Sequence, residues 1–499
     1  MPASDPEIIL LRFSGEIATK AKPTRRRFEA QLVRNVRAAL RDAGVVAPVT
    51  RSPNRIFVAS GDRRAANALG RVFGVQSLAI AQVHPAEKHD EVVRVAHERF
   101  RDVVAGRRFA VRARRVGDRA QIALDPRAIE RALGTRLLEH AARVDLDDPE
   151  VSVPIELHGR HAYLCTAELP GQGGLPLGVE GGAVALLSGG FDSAVAAWQM
   201  LRRGVHLDYV FCNLGGHAHA VGALRVAEVL GRDWSYGDAA HLHAIDFDAV
   251  AAGIRARTRA RYWQILLKRQ MLRAAEAIAH LRRADAIVTG DAVGQVSSQT
   301  LSNLAAVSQA TSLPILRPLI GTNKDAIIRH AEEIGTARLS AVVGEYCAML
   351  ATRPATSSRI DVVAAEEALL DPTTLARAID ARRVFDLHAL DLDALGVPGL
   401  EVAEIDPSDT VIDLRSRTAF AAWHWPGALS LDFERARAAS RSFAKDQRYV
   451  FYCEFGLKSA HLAERMRADG FDAASFRGGL KSLVALARAR HLATPEPIA

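Results

Sequence analysis

The residues best equipped for chemistry are a short Gly-rich turn and one cysteine. In AVALLSGGFDSAVAAWQM an apolar run, Ala183 to Leu187, ends in Ser188-Gly189-Gly190-Phe191-Asp192-Ser193, and an apolar helix-like stretch follows. Glycines allow the backbone to approach a ligand closely. Free amides at a helix start suit a phosphate, and the carboxyl end of a parallel strand is where such sheets bind ligands. The turn is not a Walker A loop, because no G-x-x-x-x-G-K-[ST] occurs. The alternative is an ordinary strand-to-helix turn. In VFYCEFGLKSAHLAERMRADG, Cys453 directly follows a strand-like run, and a loop from Glu454 to Ser459 leads into a helix. Amides of such a loop favour a thiolate or persulfide, and with it a lowered thiol pKa. The alternative there is a buried structural thiol.

The remaining cysteines are Cys165, Cys212 and Cys347. Cys165 and Cys212 sit in apolar strand-like runs, YLCTAEL and DYVFCNL, and read as core; Cys347, in VVGEYCAMLATRP, carries no signal alone. No pair has C-x-x-C spacing, and four cysteines in 499 residues make no disulfide scaffold. His217 and His219, with His241 and His243, raise the question of zinc, but no cysteine joins them and no metal is assigned.

These groups need elements to position them. AVALL, HLDYVFCNL, HLHAIDF and AIVTGD are apolar runs separated by helical segments, the pattern of a parallel sheet with crossover helices. A mainly helical stretch, VVAAEEALL to ALDLDALG, leads to another α/β unit from DTVIDLRS to FRGGLKSLV. Upstream, EIILLRF, RIFVAS, RFAVRARR and VSVPIELHGRHAYLCTAEL read as strands, and RRRFEAQLVRNVRAALRDAG, AANALGRVFGV and EVVRVAHERFRDVVAG as helices. This α+β region ends near residue 167, and PGQGGLPLGVEGG after it reads as a linker or hinge.

Length suggests three or four domains. Composition, 49% hydrophobic and 24% charged, is globular. No run of eighteen apolar residues marks a membrane span, the start MPASDPEIILLRF lacks a secretion signal, and the cytoplasm is the expected compartment. The net charge of +8 is uneven: residues 1–120 hold 24 Lys and Arg against 12 Asp and Glu. A basic front end suits a polyanion; a solvated charged face is the alternative.

The turn resembles the pyrophosphatase loop SGGxDS of enzymes that adenylate a substrate and release pyrophosphate, usually with Mg2+. VIDLRS, WPGAL, the Cys453 loop and FRGGLKSL resemble rhodanese sulfurtransferases. With SGEIATKAKPTRRRF, LPGQGGLPLG, FCNLGGHAH, TGDAVGQVSSQTLSNL, LRPLIGTNKDAII and EYCAM, the chain resembles the tRNA uracil 4-sulfurtransferase (4-thiouridine synthetase) family in its long form, across nearly its whole length. The resemblance implies a multidomain α/β fold. Its parts are a ferredoxin-like domain over 1–60, a THUMP RNA-binding domain over 61–166, a PP-loop ATP pyrophosphatase domain over 178–370 and a rhodanese domain over 402–491.

The function it implies is ATP-dependent transfer of persulfide sulfur to a tRNA uridine, at position eight, through an adenylated uridine. An amide-forming ligase of the same loop class and a non-enzymatic RNA-binding protein are the rivals. Leu186, Leu187, Ser188, Gly189, Gly190, Ser193, Lys268, Gly290 and Gln299 would bind ATP, and Asp192 would position Mg2+ and pyrophosphate. Cys453 would carry the persulfide and Cys347 would resolve it as a Cys347–Cys453 disulfide. Implied partners are tRNA, a cysteine desulfurase, a disulfide reductant and, if the family's thiamine role holds, a sulfur-carrier protein; no membrane is involved. Of the histidines, the family pattern keeps only His219. Two departures stand out. EIATKAKP lacks the family's Gly-Lys-Asn spacing, which touches tRNA contacts, and EYCAM has Ala where the family often has Gly.

Overall fold

The computed structural model describes residues 7–52, 54–117, 122–214, 216–341, 343, 354–391, 400–454 and 456–494. The chain divides into two compact units. The first comprises Met1–Glu180 with Leu201–Val205 and Asp233–Asp238, and the second comprises Gly181–Met200, His206–Arg232 and Ala239–Ala499. No helix of the described residues is long and apolar enough to cross a membrane.

The first unit is built on one eight-stranded sheet. Its strands are β1 (Glu7–Phe13), β2 (Val49–Ser52), β3 (Arg55–Val58), β4 (Val75–Pro85), β5 (Arg108–Arg115), β6 (Arg143–Val144), β7 (Val151–His158) and β8 (His161–Pro170). They run in the order β2-β3-β1-β4-β8-β7-β5-β6. β4 joins the halves: its Ala79 is opposite Leu10 of β1, and its Gln82 is opposite Leu164 of β8. The helix Lys22–Asp42 repeats apolar residues at i, i+4 and i+8, and Phe28, Leu32 and Val36 are buried under the sheet with Ile9 and Leu11 of β1.

One polar cluster crosses this sheet. Glu156 is buried and receives Arg12 at 2.9 Å, Arg55 at 3.0 Å and Arg114. Burial would raise its carboxyl, but Arg55, Arg12 and Arg114 outweigh that and hold it at about 2. Part of the basic excess is therefore structural.

The segment expected to be a hinge is packed instead. Leu175, Leu177 and Val179 are buried, and the Leu175 amide donates to the Arg202 carbonyl at 2.9 Å. Gly174, at φ +73°, lies so close that a Cβ would stand 2.2 Å from that carbonyl oxygen. Its glycines serve close approach, which composition alone cannot distinguish from looseness.

The second unit carries two sheets. One is formed by β9 (Gly182–Leu186), β10 (His206–Asn213), β11 (His241–Asp246), β12 (Ala286–Val288), β13 (Ile315–Leu316) and β14 (Arg383–Asp386), in the order β13-β12-β9-β10-β11-β14. β9 to β13 are parallel and β14 is antiparallel to β11. The four apolar runs seen in the sequence are β9 to β12, and Cys212 is buried in β10 as Cys165 is in β8.

The expected helical stretch after residue 360 holds two helices, Ile360–Glu367 and Pro372–Asp380, but then becomes strand. β14 pairs Phe385 with Leu242 at the edge of the sheet, a tertiary contact that local pattern does not encode. The chain stays packed as far as Leu387, which is fully buried.

The other sheet contains β15 (Glu401–Val402), β16 (Thr410–Asp413), β17 (Leu429–Ser430), β18 (Arg448–Tyr452) and β19 (Asp472–Phe476), all parallel, in the order β15-β19-β18-β16-β17. The multidomain α/β architecture expected from the sequence is the one observed.

Candidate active site

β9 sits between β10 and β12, so connections leave its carboxyl end toward both sides of the sheet. This is the switch point at which open parallel sheets form a crevice. The Gly-rich turn lies there, between β9 and the helix Phe191–Arg202. Its shape is fixed from within. The Ser193 hydroxyl donates to the Gly190 carbonyl at 3.1 Å and accepts from the Ser188 amide at 3.2 Å. Gly189 has φ +82°, and a Cβ on it would meet the Cα of Ala223 at 3.1 Å. A side chain is excluded there on two counts.

The turn opens into a cavity of about 470 Å³. Its apolar wall includes Leu186, Leu187, Val210, Met271 and Val296, and its polar wall includes Ser188, Asp192, Lys268, Gln295, Gln299 and Lys324. An apolar slot with few polar groups, next to a phosphate-type turn, suits a nucleotide. Of the residues expected to bind ATP, Leu186, Leu187, Ser188, Gly190, Lys268 and Gln299 line the cavity, and so does Asp192. Gly189, Ser193 and Gly290 do not; they shape the turn behind it. Gly290 follows β12 so tightly that a Cβ would lie 2.6 Å from the Asp192 carbonyl carbon and 2.7 Å from the Ser193 nitrogen.

The cavity's charges are paired across long sequence distances. Both Asp192 oxygens accept from the Lys324 ammonium, at 2.9 and 2.8 Å, and one accepts from Gln295 at 2.8 Å. Lys324 opens the helix Lys324–Ile334, where the helix dipole disfavours a cation, so Asp192 compensates it. Lys268 donates to Asp291 at 3.0 Å. Burial would raise the Asp291 carboxyl; Lys268, Thr289 and Arg317 overcome this and hold it at about 2. His219 lines the same cavity edge-on to Phe211, with ring centroids 4.7 Å apart. Burial, aided by His461, depresses it to about 3, so it is neutral at pH 7.

The sequence alone gives Lys324, Gln295 and Asp291 no role. The available signal was a Lys directly after Thr-Asn at a helix start, and polar residues within an apolar strand-to-helix connection. His241 lies elsewhere, 3.5 Å from Asp208.

Cys453 follows β18 and is buried. Its Sγ is 3.4 Å from the Ser459 hydroxyl, which donates to the Gly456 carbonyl at 3.0 Å and accepts from Ser475 at 2.8 Å. Gly456, at φ +84°, turns the chain into the helix Leu457–Ala468. A Cβ on it would stand 3.4 Å from the Gly479 nitrogen, where the helix Gly479–Ala489 begins. Two helix N-termini thus converge beside the cysteine loop, a setting that favours an anion. Asp413, fully buried at the end of β16, accepts from the Arg415 guanidinium on both carboxylate oxygens and from the Tyr452 hydroxyl at 2.7 Å. Arg415 reaches within 4.0 Å of Glu454 in the loop. Cys347 lies outside the described residues.

Comparison with known proteins covers most of the chain. Residues 8–79 match the family "ThiI ferredoxin-like domain", 89–167 "THUMP domain", 178–371 "Thiamine biosynthesis protein (ThiI)" and 401–486 "Rhodanese-like domain". The chain is 39% identical over 475 residues to a tRNA sulfurtransferase of Pyrobaculum aerophilum, covering 94% of this chain and 96% of the relative. It is 33% identical to a tRNA sulfurtransferase of Pseudomonas aeruginosa, covering 93% and 98%. Among solved structures, a 4-thiouridine synthetase–RNA complex with bound ATP superposes with a TM-score of 0.67 at 28% identity, over 76% of this chain and 99% of that one.

Proposed function

Because the chain belongs to the tRNA sulfurtransferase family, we propose that it uses ATP to place persulfide sulfur on a tRNA uridine, giving 4-thiouridine at position eight. The observation that carries this reading is the union, in one chain, of the cavity at the end of β9 with a cysteine seated between two helix N-termini. The related complex holds both RNA and ATP, which supports the nucleotide cavity and an RNA substrate.

In the proposed reaction the uridine O4 attacks the α-phosphorus of ATP and pyrophosphate leaves. Ser188 and Gly190 cradle phosphate oxygens, and Lys268 and Lys324 face the charge that develops there. Asp192 fits as the single carboxylate that a magnesium ion needs alongside phosphates. Such an ion would neutralise the leaving pyrophosphate beside the Asp192–Lys324 pair. The terminal sulfur of the Cys453 persulfide then attacks C4 and AMP departs. The thiolate of Cys347 attacks the Cys453 sulfur, the S–S bond breaks, and the thiocarbonyl stays on the base. A Cys347–Cys453 disulfide remains, which a cellular dithiol reduces.

A cysteine desulfurase recharges Cys453. A sulfur-carrier protein, supplying thiamine thiazole synthesis, would draw on the same persulfide. We place the reaction in the cytoplasm, where tRNA and dithiol reductants coexist. We assign the chain's domains to residues 1–60, 61–166, 178–370 and 402–491. Incubating unmodified tRNA with the protein, ATP and a persulfide donor, then analysing nucleosides by mass spectrometry, tests the reading. Appearance of 4-thiouridine only with ATP is expected; sulfur transfer without ATP, or none with it, overturns the reading.

A further inference from the structure

Asp291 is buried behind the cavity wall and does not line it. One of its oxygens accepts from Lys268 at 3.0 Å and from Gln299 at 3.3 Å; the other accepts from Thr289 at 2.8 Å and from Arg317 at 3.3 Å. These donors come from four separate places: the helix Trp263–Arg282, the turn Ser297–Gln299, the end of β12 and the chain beyond β13. Arg317 is tied further to Ser308 at 2.9 Å. An apolar core would have served packing alone, whereas a buried carboxylate is tolerated only when its partners compensate it. Here the partners include two side chains that enter the cavity, Lys268 and Gln299.

Resting on the nucleotide reading above, we propose that Asp291 is a positioning residue for the adenylation step, aiming the Lys268 ammonium at the ATP phosphates. It never meets the nucleotide. Lys268 has a long stem and many rotamers, and a charge-assisted hydrogen bond from below selects the one that faces the cavity. Asp291 also leaves the pair Lys268 and Arg317 with one net positive charge, suited to a polyanion. Because the link to Gln299 is longer than that to Lys268, the main effect is assigned to the phosphate end.

The experiment uses the full chain. Wild type, Asp291→Asn, Lys268→Gln and the double variant are compared for pyrophosphate release with tRNA, and for ATP and adenosine binding by calorimetry. Asp291→Asn keeps the shape and removes the charge. It should lower kcat/KM for ATP by about tenfold or more, weaken ATP binding, and leave adenosine binding within about twofold. In the Lys268→Gln background the same change should add almost nothing, since residues acting as one unit are non-additive.

Multiplying effects, equal losses of ATP and adenosine binding, or unchanged kinetics would each overturn the proposal. Should Asp291→Asn fail to fold by thermal melting, Thr289→Val removes one hydrogen bond to the same carboxylate at no change in charge. It should reproduce a smaller loss confined to ATP, and no loss would refute the assignment. Wild type that binds no ATP would refute the nucleotide reading itself, a result distinct from either.

Discussion

Replacing Gly290 by alanine adds one methyl group at the most crowded point of the nucleotide loop. Its φ lies outside the left-handed region, so alanine is conformationally acceptable and the demand for glycine is steric. The new Cβ would stand 2.6 Å from the Asp192 carbonyl carbon, 2.7 Å from the Ser193 nitrogen and 2.8 Å from the Asp192 oxygen. Ordinary contact starts near 3.4 Å, so a separation of roughly 0.6–0.8 Å must open. All three atoms are backbone, and no rotamer can relieve them. The first turn of the helix Phe191–Arg202 must move, and it carries the Gly-rich turn with it.

Overpacking of this kind costs about 1–3 kcal/mol of stability, and a displacement near 1 Å costs on the order of 100-fold in rate. Gly290→Ala should therefore lower kcat/KM for ATP in pyrophosphate release by about 30- to 100-fold, while sulfur loading on Cys453 persists. Gly321→Ala is the matched control, because a Cβ there meets nothing within 4 Å, and it should be silent. If Gly290→Ala retains activity within about threefold of wild type, the turn does not depend on this approach and the steric argument is wrong.

Cys453→Ser should abolish persulfide formation, read as the missing mass of one sulfur atom on the peptide, and leave pyrophosphate release intact. Cys347→Ala should still load the persulfide but stall after one turnover; full multiple turnover would return Cys347 to an ordinary thiol. Glu156 has a folded pKa depressed to about 2 from an ordinary 4.5, so its stabilisation is complete above about pH 4.5 and disappears as pH falls toward 2. That contribution is of order 3 kcal/mol, and Glu156→Gln should flatten the acid limb of the stability–pH curve; an unchanged limb would disprove the assignment. Affinity for tRNA should fall steeply with salt, and deleting residues 1–166 should remove it while ATP binding survives; salt-independent binding by the truncated chain would contradict this.

Some of the site was legible in the residues and some was not, for physical reasons. β9 to β12 are buried on both faces and so appear as unbroken apolar runs, and the turn after β9 betrays itself by adjacent glycines. The pairs Asp192–Lys324 and Lys268–Asp291 are invisible in sequence, since partners far apart along the chain leave no periodic trace. β14 was missed for the same reason, its strand state coming from the free edge of β11. Gly174 misled in the opposite direction: a glycine in a tight contact and one in a loose linker are spelled alike. Several front-end strands and three of the helices were readable, but β4 and the helix Pro126–Leu137 were not, nor that β4 fuses the halves into a single sheet.

The strand Arg383–Asp386 has a consequence for how the cysteine works. With β14 stitched to β11 and Leu387 buried, only about a dozen residues separate the nucleotide sheet from Leu400, the buried threshold of the last sheet. Whatever path they take, their contour is at most about 45 Å. In the proposed reaction, a Cys453 persulfide held anywhere within that radius corresponds to a local concentration of at least a few millimolar, on the order of 4 mM. A separate persulfide protein would have to be present at comparable concentration to compete for the activated base. In the proposed reaction this short connection makes sulfur delivery intramolecular, and lengthening the segment between Leu387 and Leu400 should slow it without altering a single residue proposed to touch ATP or tRNA.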